Sequence, residues 1–243
     1  MGKAEEIISS VKSLPLQEML KGVYDDNVSF GDKKLLERII EAMSIVDRRI
    51  FVGSNPRNIE NAYADGVLDI GDGQTISQPI TVARMLLYAD LKKGDSVLEV
   101  GAGSGWNASL IAYLIYSGSI TSIDRIAIKK AEENLSKFKN YLQNKNQFKN
   151  LERISKLNFL EENIFSEGKA WKRKYDKIII TAGIPNYDKN IASKVESLAI
   201  NLLNKNGILI CPHTEGSIVI YRKNAKLERE ERGSYRFIPL IEK

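Results

Sequence analysis

The sequence has very little cysteine and histidine: among 243 residues, Cys211 and His213 are the only ones of their kinds. One cysteine excludes an internal disulfide, and the two residues offer too few ligands for a cysteine- or histidine-based metal centre. A Ser-His catalytic triad is also disfavoured, because the sequence has a single histidine. We therefore expect a protein of the reducing cytoplasm whose chemistry needs no metal and little base catalysis.

Long apolar runs are also missing from the sequence. The fullest run, residues 108–116, has the length of a buried helix and is too short to span a bilayer. The N-terminal residues lack the basic-then-apolar order of a secretion signal. We expect no membrane segment, and the 43% hydrophobic content is ample for one sizeable α/β domain with a small addition.

Positive charge is in modest excess, at a formal +5, and it is concentrated in residues 125–177, which hold fourteen Lys and Arg against seven Asp and Glu. Such a segment is either a patch for nucleic acid or acidic peptides, or a solvated helix. No recognition motif accompanies the charge, so the solvated helix is favoured and a nucleic-acid partner is not expected. The sequence gives no indication of oligomeric state.

Apolar strands alternate with helices over the second half of the chain. Strands are predicted at Ser96–Val100 and at 119–123, 151–157, 177–182, 208–211 and 217–221, and helices at 107–116, 127–141 and 191–203. Alternating β and α units predict a doubly wound, mostly parallel sheet, and the last two strands predict a closing antiparallel hairpin. A closing hairpin of this kind is typical of the methyltransferase version of the fold.

Before this unit we predict helices at 5–14 and 33–46, separated by turns at 25–27 and 31–32. We divide the chain into an N-terminal helical extension (1–45) and an α/β domain (46–243) that carries the motifs described below. Residues 55–79, rich in Gly, Pro, Asp and Asn, predict a long irregular passage, and such passages usually carry function. A helix should follow at 80–88, with Pro79 in its first turn.

A glycine loop joins the first strand of the unit to the next helix, with the pattern Gly-x-Gly-x-Gly. Glycines let the backbone approach a ligand closely, and the carboxyl end of a strand is where open sheets bind ligands. Asp124, at the end of the second strand, is placed to accept the two hydroxyls of a ribose. A dinucleotide fingerprint would have glycine at Trp106, so S-adenosylmethionine is favoured over NAD. The predicted cofactor residues here are Glu99, Gly101, Gly103, Ser104, Gly105, Asp124 and Arg125.

A second segment, Gly73-Gln74-Thr75-Ile76-Ser77-Gln78-Pro79, precedes the glycine loop by about twenty residues. Together the two segments resemble the signature of the protein-L-isoaspartate O-methyltransferases. Further stretches resemble the same family, namely residues 46–52, 62–65, 175–178 and 181–182, and the ending Phe237-Ile238-Pro239-Leu240. The resemblance covers residues 36 to the C-terminus and implies a Rossmann-like class I methyltransferase with a seven-stranded sheet.

The resemblance also implies a reaction: methyl transfer from S-adenosylmethionine to the free carboxylate of L-isoaspartyl residues in damaged proteins, with S-adenosylhomocysteine as the other product. A carboxylate is already ionised at pH 7, so attack on the methyl group needs in-line alignment rather than a general base. By family analogy Ser77 is the catalytic hydroxyl that orients the carboxylate. Thr75 and Ile76 line the donor site, and Tyr63 and Gln78 contact the substrate.

The sequence departs from the family after its third strand, where Gly-Asp-Gly is usual. The nearest alignment here is Asn158-Phe159, predicted to contact the cofactor through a hydrogen bond from Asn158 and stacking of Phe159 on the adenine. The turn at 211–216 keeps only the family's proline, Pro212. Three alternatives follow: a methyltransferase acting on tRNA or other RNA, one acting on a particular peptide aspartate, and a non-catalytic protein that binds the cofactor.

Overall fold

A computed structural model describes residues 2–186 and 188–240 of the chain, and its centre is a seven-stranded sheet. In chain order the strands are β1 Leu68–Gly71, β2 Gln74–Ile76, β3 Ser96–Val100, β4 Ser119–Asp124, β5 Leu157–Glu161, β6 Tyr175–Ile180, β7 Leu203–Pro212, β8 Glu215–Lys223 and β9 Leu227–Arg236. The helices are α1 Lys3–Ser10, α2 Leu14–Asn27, α3 Lys33–Ile45, α4 Pro56–Glu60, α5 Pro79–Tyr88, α6 Trp106–Ile115, α7 Ile128–Asn144, α8 Phe148–Arg153 and α9 Lys189–Leu202.

The strand order of this sheet is β5-β4-β3-β6-β7-β8-β9. The first five strands in this order are parallel, whereas β8 and β9 are antiparallel to their neighbours. The central strands are buried on both faces, which explains their nearly continuous apolar sequences. The predicted fold class, a Rossmann-like methyltransferase sheet with a closing hairpin, is confirmed. β9 was not predicted, because its sequence LEREERGSYR carries charges on both faces of an edge strand.

The predicted strand at 151–157 is wrong. Residues 148–153 form the short helix α8, and the strand β5 begins at Leu157 and ends at Glu161. β5 is the edge strand next to β4, so its residues alternate: Leu157 and Phe159 are buried, whereas Asn158 between them is exposed. The alternation hid the strand in the sequence, and the strand ends four residues beyond the predicted position.

α2 and α3 pack against α5, α3 also packs against α6, and α1 packs on α2 and α3; all five helices share one hydrophobic core. α3 begins where the Asp32 side chain accepts hydrogen bonds from the backbone N–H groups of Lys34 and Leu35. Its apolar stripe is buried, each fully buried side chain contributing about 1.5–3 kcal/mol. The predicted turn at 25–27 is wrong, because these residues form the last turn of α2. The division of the chain at residues 45 and 46 stays a prediction.

Residues 55–79 are more regular than predicted. They contain α4 and the antiparallel hairpin of β1 and β2, which closes through Asp72 and Gly73, both with positive φ (58° and 68°). Two such residues are what a tight two-residue hairpin turn requires. α5 starts at Pro79, as expected for a proline in a first turn. Within 2–186 and 188–240, no helix combines the length and apolar character needed to cross a bilayer.

Candidate active site

A cavity of about 740 Å³ opens at the carboxyl ends of β3, β4 and β6. Its walls come from the glycine loop, strand β2 with the two residues after it, the loop after β5 and residues 236–240. Open α/β sheets bind ligands at this edge, and the volume lies within the range of small-molecule sites. The fold therefore brings the segments that the sequence singled out to one place.

The glycine loop follows β3, and at two of its glycines the backbone does not accommodate another residue type. Gly101 has φ 101°, and a Cβ there would lie 2.3 Å from Oγ1 of Thr181, which donates hydrogen bonds to the carbonyls of Gly101 and Val100. Gly105 has φ 81° and is the N-cap residue of α6, with a Cβ position only 3.1 Å from the carbonyl oxygen of Ala131. Positive φ and close packing both require glycine. Gly103 and Ser104 line the cavity between them, whereas Gly105 shapes the loop from behind.

Asp124, at the end of β4, fixes the same loop. Its Oδ2 accepts a hydrogen bond from Gly103 N at 3.0 Å, and its Oδ1 accepts bonds from Ile126 N and Ala127 N at 3.0 and 3.1 Å. A carboxylate oxygen has two acceptor positions, so Oδ2 keeps one for a ligand. Asp124 lines the cavity, so it can hold one ribose hydroxyl in the present geometry.

The loop after β5 supplies cavity residues that the sequence analysis missed. Glu162, Asn163 and Phe165 line the cavity, and Glu162 accepts hydrogen bonds from the backbone of Lys169 and Ala170. Asn158 and Phe159, the residues predicted at this position, do not reach it. Asn158 lies exposed in the edge strand, and Phe159 is packed in the hydrophobic core. Because the strand ends at Glu161, a correct strand boundary would have pointed to residues 162–165.

Arg125, one of the predicted cofactor residues, lines the cavity next to Asp124. Its Nη1 atom is buried and has no hydrogen-bond partner among the residues that the structure describes. A buried donor without a partner is energetically unfavourable, so this atom is suited to an acceptor on a bound ligand.

Glu99 is fully buried beneath the glycine loop and does not line the cavity. Its carboxylate accepts hydrogen bonds from Nδ2 of Asn107 at 2.7 Å and from Oγ of Ser122. Burial raises the pKa of Glu99 to about 8, with a smaller contribution from Asp124; the two hydrogen bonds oppose the shift. Asn107, which the sequence analysis did not single out, stands between Glu99 and the cavity.

Thr75, Ile76, Ser77 and Gln78 also line the cavity, and the carbonyl oxygen of Thr75 lies close to Gly103 of the glycine loop. Their position depends on Arg48, a fully buried residue of the N-terminal part. Arg48 donates to the carbonyl oxygens of Ala62 (2.6 Å), Gly66 (2.8 Å) and Ser77 (3.1 Å), and its guanidinium lies 5.5 Å from the ring centre of Trp106. Burial lowers its pKa to about 10, an effect opposed by Asp65.

Asp65 and Tyr63 hold neighbouring parts of this wall. Asp65 accepts a hydrogen bond from Ile80 N in the first turn of α5 at 3.0 Å and lies 3.4 Å from Nε2 of Gln78. Tyr63, predicted to contact the substrate, donates its hydroxyl hydrogen to Asp47 at 2.8 Å and does not line the cavity. The structure therefore brings Gln78 to the cavity and leaves Tyr63 outside it.

The last described residues close the cavity over β6. Gly183 N donates to Ile238 O at 2.7 Å, Leu240 N donates to Gly183 O at 2.8 Å, and Phe237 N donates to Thr214 O at 2.9 Å. These bonds tie residues 237–240 to the loop after β6 and to the β7–β8 turn. The segment that resembled the family ending in the sequence therefore forms a wall of the site.

The residues of the cavity fit S-adenosylmethionine. The ligand carries no phosphate, so it needs acceptors for hydroxyl and ammonium groups rather than a cradle for anions. Asp124 offers an acceptor position, Asn107 lines the cavity, and the buried Nη1 of Arg125 is a hydrogen-bond donor without a partner among the described residues. The wall formed by half-buried Thr75 and buried Ile76 adds apolar surface.

Comparison with known proteins gives consistent results. A sequence model of the family described as protein-L-isoaspartate(D-aspartate) O-methyltransferase (PCMT) matches residues 32–243. The protein-L-isoaspartate O-methyltransferase of Fervidobacterium nodosum is 35% identical over 84% of this chain and 93% of its own length. The protein of the same name from Pyrococcus horikoshii is 36% identical over 84% of this chain and 85% of its own.

Among solved structures, a Plasmodium falciparum chain named as a protein-L-isoaspartate O-methyltransferase, in complex with S-adenosyl-L-homocysteine, is similar in fold. The TM-score is 0.70 at 22% identity, and the match covers 93% of this chain and 98% of that one. At this identity the similarity shows the fold. The family resemblance expected from the sequence is confirmed by the family match and the curated relatives.

Proposed function

Because the chain belongs to the protein-L-isoaspartate(D-aspartate) O-methyltransferase family, we propose that it transfers a methyl group from S-adenosylmethionine to the free carboxylate of L-isoaspartyl residues in proteins or peptides. One observation carries the proposal: the segment around Ser77 forms one wall of the cavity whose other wall is the glycine loop. The carbonyl oxygen of Thr75 lies 3.7 Å from the position of a Cβ on Gly103. Donor and acceptor sites are thus adjacent.

The cofactor site that we propose runs along the carboxyl ends of β3 and β4. Asp124 accepts a ribose hydroxyl through Oδ2, and Arg125 with the loop at 162–165 surrounds the adenine. Gly101, Gly103 and Ser104 allow the backbone to approach the ligand, and Thr75 and Ile76 cover it from the opposite wall.

The chemistry asks little of the protein beyond alignment. When bound, S-adenosylmethionine supplies an electrophilic methyl carbon on a sulfonium; a carboxylate oxygen forms the new bond to that carbon as the C–S bond breaks and its electron pair returns to sulfur. The acceptor carboxylate is ionised at neutral pH, so no proton has to be removed. The walls hold the two groups in line and exclude water, which is a proximity effect.

Ser77 is the residue we place against the acceptor. Ser77 lines the cavity, and its carbonyl oxygen accepts a hydrogen bond from Arg48. In the proposed complex its hydroxyl donates a hydrogen bond that orients the acceptor carboxylate. Ser77→Ala removes that bond, and hydrogen bonds to charged groups contribute about 1.5–3 kcal/mol. We expect kcat/KM for an isoaspartyl peptide to fall roughly tenfold to a hundredfold, while the affinity for S-adenosylhomocysteine stays within about twofold.

The test is a methyl-transfer assay on one peptide prepared in its isoaspartyl, aspartyl and asparaginyl forms. We expect base-labile methyl ester from the isoaspartyl form alone. Transfer to none of the three would overturn the proposed acceptor, and transfer to tRNA with steep salt dependence would favour a nucleic-acid methyltransferase. A cytoplasmic location is part of the proposal, supported by the low cysteine content.

A further inference from the structure

Asn107 lies in the first turn of α6, directly after the glycine loop, and its half-buried side chain lines the cavity. Its Nδ2 donates a hydrogen bond to Oε1 of Glu99 at 2.7 Å. The oxygen and nitrogen of a carboxamide diverge from one trigonal carbon, so this bond directs Oδ1 away from Glu99. Within the part of the chain that the structure describes, Oδ1 accepts no hydrogen bond.

Glu99 holds the amide in this orientation from behind. Its side chain is completely buried, and its second carboxylate oxygen accepts the hydroxyl hydrogen of Ser122, so the carboxylate cannot rotate freely. Asn107 therefore presents a carbonyl oxygen to the cavity with a buried acid on its other side. A group that donates hydrogen bonds and carries positive charge is the complementary ligand.

The position of Asn107 identifies which part of the cofactor it faces, on the basis of the proposed function. With the ribose at Asp124 and the adenine beside Arg125, the rest of the molecule extends away from β5 toward β3 and α6, where Asn107 lies. That end carries an α-ammonium and an α-carboxylate group. Only the ammonium group donates hydrogen bonds, so only it pairs with a carbonyl oxygen.

We propose that Asn107 binds the α-ammonium group of S-adenosylmethionine and of S-adenosylhomocysteine through Oδ1, and that Glu99 is the positioning residue that orients its amide. The site then distinguishes complete cofactor from ligands that keep the adenosine and lack the amine.

The experiment combines a change in the protein with a change in the ligand. Calorimetry measures the affinity of the unaltered chain and of Asn107→Ala for S-adenosylhomocysteine and for its analogue with hydrogen in place of the α-ammonium group. We expect Asn107→Ala to weaken S-adenosylhomocysteine roughly tenfold to a hundredfold, the effect of one hydrogen bond to a charged group, and to leave the affinity for the analogue within about twofold.

Asn134→Ala is the matched control. Asn134, on α7, donates from Nδ2 to the carbonyl oxygen of Ser104 at 3.0 Å, so it supports the glycine loop from outside the cavity. This variant should weaken both ligands by a similar factor. Thermal unfolding of each variant establishes that binding is measured on folded protein.

Equal loss of both ligands in Asn107→Ala, or no loss of S-adenosylhomocysteine affinity, would overturn the inference while leaving the proposed reaction intact. Failure of the unaltered chain to bind either ligand would overturn the inference and the proposed cofactor together. Tight binding of S-adenosylhomocysteine without transfer to the isoaspartyl peptide would count against the proposed acceptor alone, and the selective loss in Asn107→Ala would still support the inference.

Discussion

Replacing Glu99 with glutamine should change how the stability of the protein depends on pH. The Glu99 side chain is completely buried, and burial raises its pKa from the ordinary value of 4.5 to about 8. The folded protein therefore binds this proton more tightly than the unfolded chain does. Stability from this group is fully present below pH 4.5 and is lost as the pH rises from 4.5 to about 8.

The size of the effect follows from the difference between the two pKa values. Each pKa unit corresponds to about 1.4 kcal/mol, so the contribution of Glu99 to the free energy of unfolding falls by at most about 5 kcal/mol across this window. Glutamine has a similar shape and does not ionise. The variant should therefore lose less stability than the unaltered protein between pH 5 and pH 8, by several kcal/mol.

Urea unfolding at pH 5, 6, 7 and 8 measures this difference directly. Ser122→Ala is the companion variant, because it removes a hydrogen bond that favours the ionised carboxylate. In that variant the decline in stability should extend to higher pH. Parallel stability profiles of the unaltered protein and Glu99→Gln from pH 5 to pH 8 would refute a raised pKa of Glu99 in the folded protein.

Two further substitutions test the scaffold of the site. Gly101→Ala should lower stability by roughly 1–3 kcal/mol, because it strains a residue with φ 101° and places Cβ 2.3 Å from Oγ1 of Thr181. The double variant with Thr181→Ala should recover part of this loss in thermal unfolding, and no recovery would contradict the clash. Arg48→Met should lower the free energy of unfolding by about 3–5 kcal/mol and raise KM for the isoaspartyl peptide, because the carbonyls of Ala62, Gly66 and Ser77 lose their buried donor. Unchanged stability in urea unfolding would refute the role of Arg48 as the link between these segments.

The parts of this fold that the sequence predicted are those with local signals. The apolar runs at β3 and β6, the glycine loop and Asp124 each have a pattern within a few residues, and the structure places the loop and Asp124 together as expected. The family resemblance likewise located the segment around Ser77, which forms a cavity wall.

The errors arose where tertiary structure decides. β5 is an edge strand in which an exposed Asn158 interrupts the apolar pattern, so its boundary was misplaced and residues 162–165 were missed. The family resemblance predicted that Tyr63 contacts the substrate, but in the structure its hydroxyl donates a hydrogen bond to Asp47.

Arg48 could not be assigned a role from sequence for a different reason. Its hydrogen-bond partners are backbone carbonyls 14 to 29 residues away along the chain, and carbonyls leave no mark in a sequence. The orientation of the Asn107 amide depends in the same way on Glu99 in a neighbouring strand.

The central claim, methyl transfer to isoaspartyl residues, is tested most directly by following the conversion of the substrate itself. Esterification of an isoaspartyl carboxylate promotes closure to the succinimide, which reopens in part to normal aspartate. An isoaspartyl peptide incubated with the protein and S-adenosylmethionine is therefore expected to accumulate the aspartyl peptide over repeated cycles, as resolved by chromatography. Incubation with S-adenosylhomocysteine in its place should leave the peptide unchanged. An isoaspartyl peptide that persists undiminished in the presence of S-adenosylmethionine and folded protein that binds this cofactor would contradict the account.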